Sequence, residues 1–379
     1  MIKNILITGG AGFIGTNVAR ELVELNYKIT ILDNFNSQIH GKNNNLSNDL
    51  KGKVELIVGD VTNKELFYNS LKDKDAIIHY AAETGTGQSM YAVGHYTNVN
   101  IQATANLCDY IINENHHIKT VIVASSRSIY GEGKYYSKDF GFVYPNSRTF
   151  TTVKDSFEVP CPISGKYNLE IRPTDETSKI HPSSFYGITK QAQEQMIMLA
   201  TELKSISGYA LRYQNVYGPG QSLKNPYTGI LSIFTRLALQ NEEINIFEDG
   251  LESRDFVHID DVVNATVSCL KLNKTQQCIL NVGSGIPISV LDVANEIVSY
   301  LKSDSKIKIS GTFREGDIRH NFADLTLIHE TIGFQPKWRF KEGLHSFIDW
   351  ALLQNDIPKD TSDYKKSLGE LKERGLLNG

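Results

Sequence analysis

Three glycines near the start of the chain constrain its fold more than any other feature. Gly10-x-Gly12-x-x-Gly15 follows the apolar run Ile5–Ile7 and opens a helical pattern over Ile14–Leu25. A second apolar run, Ile29–Leu32, comes next and ends in Asp33. Gly10 permits a tight turn, Gly12 lets backbone approach a pyrophosphate, and Gly15 lets the helix pack closely on the strand. The phosphates would meet unpaired N–H groups at the helix N-terminus. Asp33 stands where a carboxylate accepts both hydroxyls of a ribose, and its charge opposes a 2′-phosphate. The pattern predicts a strand–helix–strand unit that holds NAD rather than NADP. Its candidate contacts are Gly9, Gly12, Phe13, Ile14, Gly15, Asp33 and Asn34.

The same rhythm continues through the first half. Val54–Val58, Ala76–His79, Val121–Ala124 and Tyr209–Tyr213 read as strands. Lys64–Leu71, Asn100–Asn113 and Phe185–Leu203 read as helices. Most of these strands are apolar on both faces, as a parallel sheet covered by helices requires. Repeated β-α-β order predicts an α/β fold, a doubly wound parallel sheet with a smaller mixed α/β lobe. Asp60-Val61, at the end of the third strand, is a candidate contact for adenine. The segment 132–174 breaks the rhythm and is rich in Tyr, Phe, Ser, Gly and Pro. A long segment without periodicity is uncommon inside a compact domain and often functional. The expected division is a dinucleotide-binding domain over 1–212, carrying the insertion 132–174 and rejoined by about 249–283. A substrate lobe over 213–354 and a polar, peripheral helical tail over 355–379 complete it.

Bulk properties exclude several classes. The 379 residues, 40% of them hydrophobic, can bury a substantial core. Net charge is -4, and no basic block interleaves with aromatics, so nucleic acid is not an expected partner. The first strand leaves no room for a signal peptide, and no uncharged apolar run approaches a membrane span. Cys108, Cys161, Cys269 and Cys278 lie far apart with no CxxC pair. The expectation is a reduced, cytoplasmic protein without a disulfide framework.

The reacting groups are legible further along. Tyr186-x-x-x-Lys190 falls at the start of a predicted helix, so both side chains share one face. A free tyrosine has a pKa of about 10. A neighbouring lysine cation and an oxidised nicotinamide both favour the phenolate. Such a phenol can take the proton of a sugar hydroxyl while hydride leaves the same carbon. Ser126 ends the fifth predicted strand, on the side where parallel sheets bind ligands. It is placed to donate to the oxygen that becomes a carbonyl.

As a set, GGAGFIG, Asp33, Asp60-Val61, HYAA, Asn100 in NIQATANL, Ser126, YGITK and LRYQNVYGPGQ resemble the extended short-chain dehydrogenase/reductase family. That family contains the nucleotide-sugar epimerases and dehydratases. The resemblance runs from Met1 to about Leu353, apart from the insertion. It implies a Rossmann domain holding NAD, a smaller lobe holding a nucleotide-diphosphate sugar, and a homodimer formed through two helices. Ala81, Ala82 and Asn100 would lie near the cofactor. Ser126, Tyr186 and Lys190 would be catalytic, with Tyr186 and Lys190 also touching the cofactor and Ser126 the substrate. Asn215, Arg254 and Arg319 match places for diphosphate and nucleotide contacts, and Phe247 would flank the base.

Within that resemblance, one departure selects the chemistry. Sugar 4,6-dehydratases carry an Asp-Glu pair directly after the catalytic Ser or Thr; here Arg127 and Ser128 stand in those places. Arginine cannot accept a proton and serine is a poor base. No suitably placed cysteine serves a 3,5-epimerase. The remaining redox core implies a 4-epimerase: oxidation at C4, rotation of the keto sugar, and hydride return to the other face. Small residues in AAETGTGQS leave room for that rotation. A reductase or dehydrogenase of the same fold is the alternative, and a non-catalytic NAD sensor would not need the proton-transfer set. TGTGQSMY, NPYTGIL, IFEDGLESRDFVH, FREGDIRHNFAD and the insertion are most similar to bacterial dTDP-L-rhamnose 4-epimerase-like proteins. That similarity implies a dTDP-6-deoxyhexose substrate. Those relatives tend to hold a CPxCG knuckle, whereas this chain reads Cys161-Pro162-Ile163-Ser164-Gly165. One thiolate cannot supply a tetrahedral zinc site, so no metal is expected.

Overall fold

A computed structural model describes residues 2–41, 44–225, 229–272, 274–354 and 361–378. Residues 226–228 of the NPYTGIL motif and 355–360 of the expected tail lie outside the described residues. Seven strands form the principal sheet: β1 (Asn4–Thr8), β2 (Lys28–Asp33), β3 (Glu55–Val58), β4 (Ala76–His79), β5 (Thr120–Ser126), β6 (Ser207–Tyr213) and β7 (Gln277–Val282). All neighbours run parallel, in the order β7-β6-β5-β4-β1-β2-β3. The strand order reverses beside β1, which opens a crevice at the C-terminal ends of β1 and β4.

The apolar runs become strands because both faces are covered. Ile5 and Ile7 of β1 point into one core with Val18 and Leu22 of α1 (Phe13–Glu24). Leu6, between them, points into the opposite core with Leu107 of α2 (Ala103–Asn113) and Ile197 of α3 (Phe185–Leu203). This alternation across a doubly covered sheet leaves no polar face for the sequence to mark.

The chain leaves the sheet after β6 and returns at the helix Ile259–Lys271, which packs into the α1-side core, and then at β7. Between and after these crossings it builds a second sheet around Ser253–His258. That strand pairs in parallel with Asn215–Tyr217 and His320–Asn321, and antiparallel with Pro287–Ser289. A third core of Phe234, Leu237, Ile246, Val293, Ile297 and Phe347 stabilises this lobe.

Three segments differ from the sequence expectation. The insertion is not without structure: Tyr135–Ser137 is the central strand of a small sheet, between Gly141–Val143 and Glu170–Ile171. Strands of two or three residues are too short for alternation to register. The helix expected from Asn100 is regular only from Ala103, and Thr97–Gln102 is a π-helix. Finally, Ser362–Glu373 forms α4, and Leu377–Asn378 pairs antiparallel with Phe313–Arg314, so this tail is part of the lobe rather than peripheral to it. Among the described residues, no helix is long and apolar enough to cross a membrane.

Candidate active site

The turn between β1 and α1 is packed backbone against backbone. Gly9 has φ +66°, and a Cβ there would lie 2.8 Å from the Ala81 nitrogen. A Cβ on Gly15 would lie 2.5 Å from the Gly9 oxygen and 2.6 Å from the Gly10 Cα. Neither position has room for a side chain. Gly12 caps α1 without a side-chain hydrogen bond, which leaves first-turn N–H groups open to an anion. The Asp33 carboxylate accepts hydrogen bonds from the Ala11 N–H at 3.0 Å and the Phe35 N–H at 2.9 Å, which fixes it beside this turn. Asp60 accepts from the Asn34 side chain at 2.8 Å, tying the ends of β2 and β3 together.

A cavity of about 590 Å³ runs from this turn across the strand ends into the second lobe. It brings together Gly9, Gly12, Phe13, Ile14, Gly15, Asp33, Asn34, Asp60, Val61, Ala81 and Ala82 at one end. Ser126, Tyr186, Lys190, Asn215, Phe247 and Arg254 join them along it. Among the described residues, several buried side-chain atoms with no hydrogen-bond partner belong to this lining: those of Arg127, Gln214, Gln221, Asn245 and Glu252. Buried polar groups are otherwise nearly always paired, so their clustering marks a cavity built for a polar ligand. The glycine turn, the open helix terminus and Asp33 together fit an NAD molecule.

Ser126 closes β5, and its hydroxyl oxygen is approached twice by Ser128. The Ser128 N–H lies at 3.2 Å and its hydroxyl at 2.9 Å. With its acceptor positions used, the Ser126 oxygen keeps its own hydrogen to donate into the cavity. Sequence reasoning dismissed Ser128 as a poor base and missed this orienting role. Tyr186 is fixed at its backbone, where its N–H donates to Ser89 Oγ at 3.0 Å. Lys190 Nζ donates to the Ala124 carbonyl at 3.1 Å and sits 6.0 Å from the centre of the Tyr186 ring.

Burial dominates the protonation of both groups. It pushes the Tyr186 phenol above its usual pKa of 10.0, opposed by the Ser126 hydroxyl and the Arg127 cation. Burial also brings Lys190 down from 10.5 to about 7. Burial thus works against the expectation of a lysine cation holding an acidic phenol. A closed apolar environment disfavours both charged forms. Arg127, rather than Lys190, is the cation that favours the phenolate here.

Two residues expected in the site lie elsewhere. Asn100 is fully buried behind the cavity, where its side chain bonds both the N–H and C=O of Glu83 and the hydroxyl of Thr189. It ties the loop after β4 to α3 and does not line the cavity. Arg319 is also fully buried and does not line the cavity. Its guanidinium is engaged by Glu158, Glu248 and Asp249 at 2.6 to 2.9 Å. Five nitrogen–oxygen bonds to carboxylates leave it no free fork for a diphosphate. Glu248, Asp249 and Glu252 converge as closely as metal ligands would, but Arg319 lies against all three.

Arg127 does face the cavity. Its Nε donates to Asn215 Oδ1 at 2.8 Å, while the buried Nη1 has no partner. Burial and the neighbouring Arg254 lower its pKa to about 9. Sequence reasoning also missed Tyr364, Leu368 and Leu371 of α4, all of which line the cavity. Their spacing of four and three residues is a helical stripe that was legible in the tail.

A doubly wound sheet with a glycine turn and a strand-end acid, its cavity lined by Ser126, Tyr186 and Lys190, defines a Rossmann-type α/β protein built to hold a dinucleotide. The sequence model of the NAD dependent epimerase/dehydratase family matches residues 5–151 and 161–283, and the chain belongs to that family. It is 37% identical to a dTDP-L-rhamnose 4-epimerase of Burkholderia thailandensis over 93% of this chain and 96% of the relative. Among solved structures, a UDP-glucose 4-epimerase of Thermotoga maritima with UDP-glucose is similar, at TM-score 0.74 and 27% identity. That likeness covers 92% of this chain and 98% of the other. MoeE5 in complex with UDP-glucuronic acid and NAD is similar at TM-score 0.73 and 26% identity, covering 92% of this chain and 99% of the other. The chain is an enzyme of this family with NAD as its cofactor.

Proposed function

We propose that the enzyme inverts C4 of a nucleotide-diphosphate sugar, with a dTDP-6-deoxyhexose such as dTDP-L-rhamnose as substrate. One observation carries the reading. Ser126, Tyr186 and Lys190 meet in one cavity with the cofactor cradle, while Arg127 and Ser128 occupy the positions where an elimination reaction needs a carboxylic acid and a carboxylate base. The 37% identical relative, named for dTDP-L-rhamnose, supports the finer choice of substrate.

In this reading, Ser126 donates to the C4 oxygen and Tyr186 takes its proton. Bound NAD supplies the acceptor, and then the donor, of one hydride. Lys190 holds the nicotinamide ribose and helps Tyr186 recover its proton state. Arg127, Asn215 and Arg254 hold the diphosphate, while Phe247 flanks the base. The sugar turns within the cavity, and Tyr186 returns its proton after reduction from the other face. Residues 1–212 with about 249–283 serve the cofactor, and 213–354 serve the sugar nucleotide. The exposed Leu199 and Leu203 on α3 support a homodimer through α2 and α3.

The test incubates purified protein with dTDP-L-rhamnose and with UDP-glucose and follows the C4 proton by NMR. The expected result is a mixture of C4 epimers from dTDP-L-rhamnose with no net change at the nicotinamide absorbance. Stoichiometric NADH formation, or a product that has lost water, would overturn it.

A further inference from the structure

The last helix of the chain meets the end of the cavity where the chemistry takes place. Leu371 lies against Gly87, where a Cβ would be 3.6 Å from its Cδ1. Gly87 and Ser89 share one short helix, Thr86–Ser89, and Ser89 receives the Tyr186 N–H. Leu371 is thereby placed at the Tyr186 end of the cavity, and Leu368 and Tyr364 continue the same face of α4.

This face is held, not merely adjacent. The Tyr91 hydroxyl donates to Glu370 at 2.8 Å, and the Arg374 guanidinium lies 4.3 Å from the centre of the Tyr91 ring. The Glu315 N–H donates to the Leu376 carbonyl at 3.0 Å, beside the antiparallel pair of Leu377–Asn378 with Phe313–Arg314. At the other end, Lys365 pairs with Glu242 at 3.1 Å. These attachments hold α4 at both of its ends.

We infer that α4 is the wall against which the sugar packs, and that Leu368 and Leu371 select a sugar with a methyl group where common hexoses carry hydroxymethyl. The inference rests on the nucleotide-sugar reading above. The reacting C4 must lie at Tyr186, so substituents beside C4 meet whatever faces Tyr186 at close range. Here that surface carries two leucines and a glycine, with the Arg314 guanidinium beside them: its Nη1 lies 3.7 Å from the same Gly87 point and its Nε and Nη2 are held by Asp317. A methyl group would bury apolar surface against the two leucines, whereas a hydroxyl set against the leucines would lose its water without gaining a partner from them.

The test uses the full-length protein and two sugars that differ in one hydroxyl, dTDP-galactose and dTDP-6-deoxygalactose. The wild type should prefer the deoxysugar in kcat/KM. The double variant Leu368→Ser/Leu371→Ser should lose that preference by about 10- to 100-fold while retaining its NAD content. An unchanged ratio in a folded, NAD-loaded double variant would overturn the inference. If the wild type turns over neither sugar, the 4-epimerase reading is decided separately by the C4-proton assay with dTDP-L-rhamnose. Calorimetric Kd values for the same two sugars then decide the wall by the same ratio. If the double variant does not fold, Tyr91→Phe removes an anchor of α4 outside the cavity lining. It should raise KM for the deoxysugar several-fold with NAD content intact, and an unchanged KM would count against the wall.

Discussion

Lys190 and Arg127 are the two cations nearest Tyr186, and the cavity treats them differently. Lys190 is buried with one carbonyl for a partner, and its pKa falls from 10.5 to about 7. Between those values the unfolded chain holds a proton that the folded chain has released, so this group makes stability rise with pH. Below the folded value both states are protonated, and its contribution is flat. Replacing Lys190 by Met in NAD-free protein should therefore stabilise the fold near pH 7. The advantage should shrink by up to about 1.4 kcal/mol per pH unit as pH rises towards 10. Urea unfolding at pH 7, 8.5 and 9.5 measures it, and an advantage independent of pH would contradict the burial argument. Arg127 instead keeps one buried nitrogen unpaired beside Arg254, an arrangement that an anion would relieve. Arg127→Ala should raise KM for the nucleotide sugar about 10- to 100-fold, the worth of a charge-assisted hydrogen bond, and lower kcat less. Steady-state kinetics separate the two. A fall in kcat with unchanged KM would place Arg127 with the reacting atoms rather than the diphosphate.

Elements differed in how far the sequence disclosed them, and the reason is physical. The strands of the main sheet and α1 were readable because burial on both faces forces continuous apolar runs, and the glycine spacing answers a local backbone demand. Ser126, Tyr186 and Lys190 were readable because the helix and strand that carry them are regular. The insertion was not readable, because its strands are only two or three residues long and its buried charges pair with residues far apart in the chain. Arg148 bonds Glu132 at 3.2 Å and Glu248 at 2.7 Å, and Arg319 bonds Glu158 and Glu248 in the same buried cluster. No local pattern announces that an arginine will meet carboxylates from the insertion and from the loop after Ile244–Ile246. This is why Arg319 matched a motif and yet is engaged elsewhere. Removing either cation strands buried acids, so Arg148→Met and Arg319→Met should each cost about 3–5 kcal/mol of stability. The Arg319 variant should keep its KM for nucleotide sugar wherever it remains folded. Chemical denaturation gives the first quantity and initial rates give the second. A large KM increase without loss of stability would restore Arg319 to the diphosphate.

At the scale of the molecule, the chain path couples the two lobes. The chain leaves the main sheet after β6, enters the second lobe, returns through Ile259–Lys271 and β7, and leaves again. The strand Ser253–His258 runs directly into that returning helix, so no flexible linker separates the lobe sheet from the cofactor-side core. Trp338 stacks on His258 at 4.1 Å between ring centres and donates to Asp260 at 3.1 Å, which places it at this junction. Trp350 packs on the core of the second lobe. Tryptophan fluorescence therefore reports the junction and the second lobe, while far-UV circular dichroism is weighted by helices on both sides of the main sheet. Because the crossings share buried side chains, both signals should unfold in one transition with coincident midpoints. NAD binds the other end of the molecule, yet at a hundredfold excess over its Kd it should raise stability by about 2.7 kcal/mol in both signals. If the lobes were independent, the fluorescence transition would separate from the dichroism transition and would not respond to NAD. Coincident, equally shifted curves would instead mean that holding the cofactor also sets the wall and floor of the sugar site.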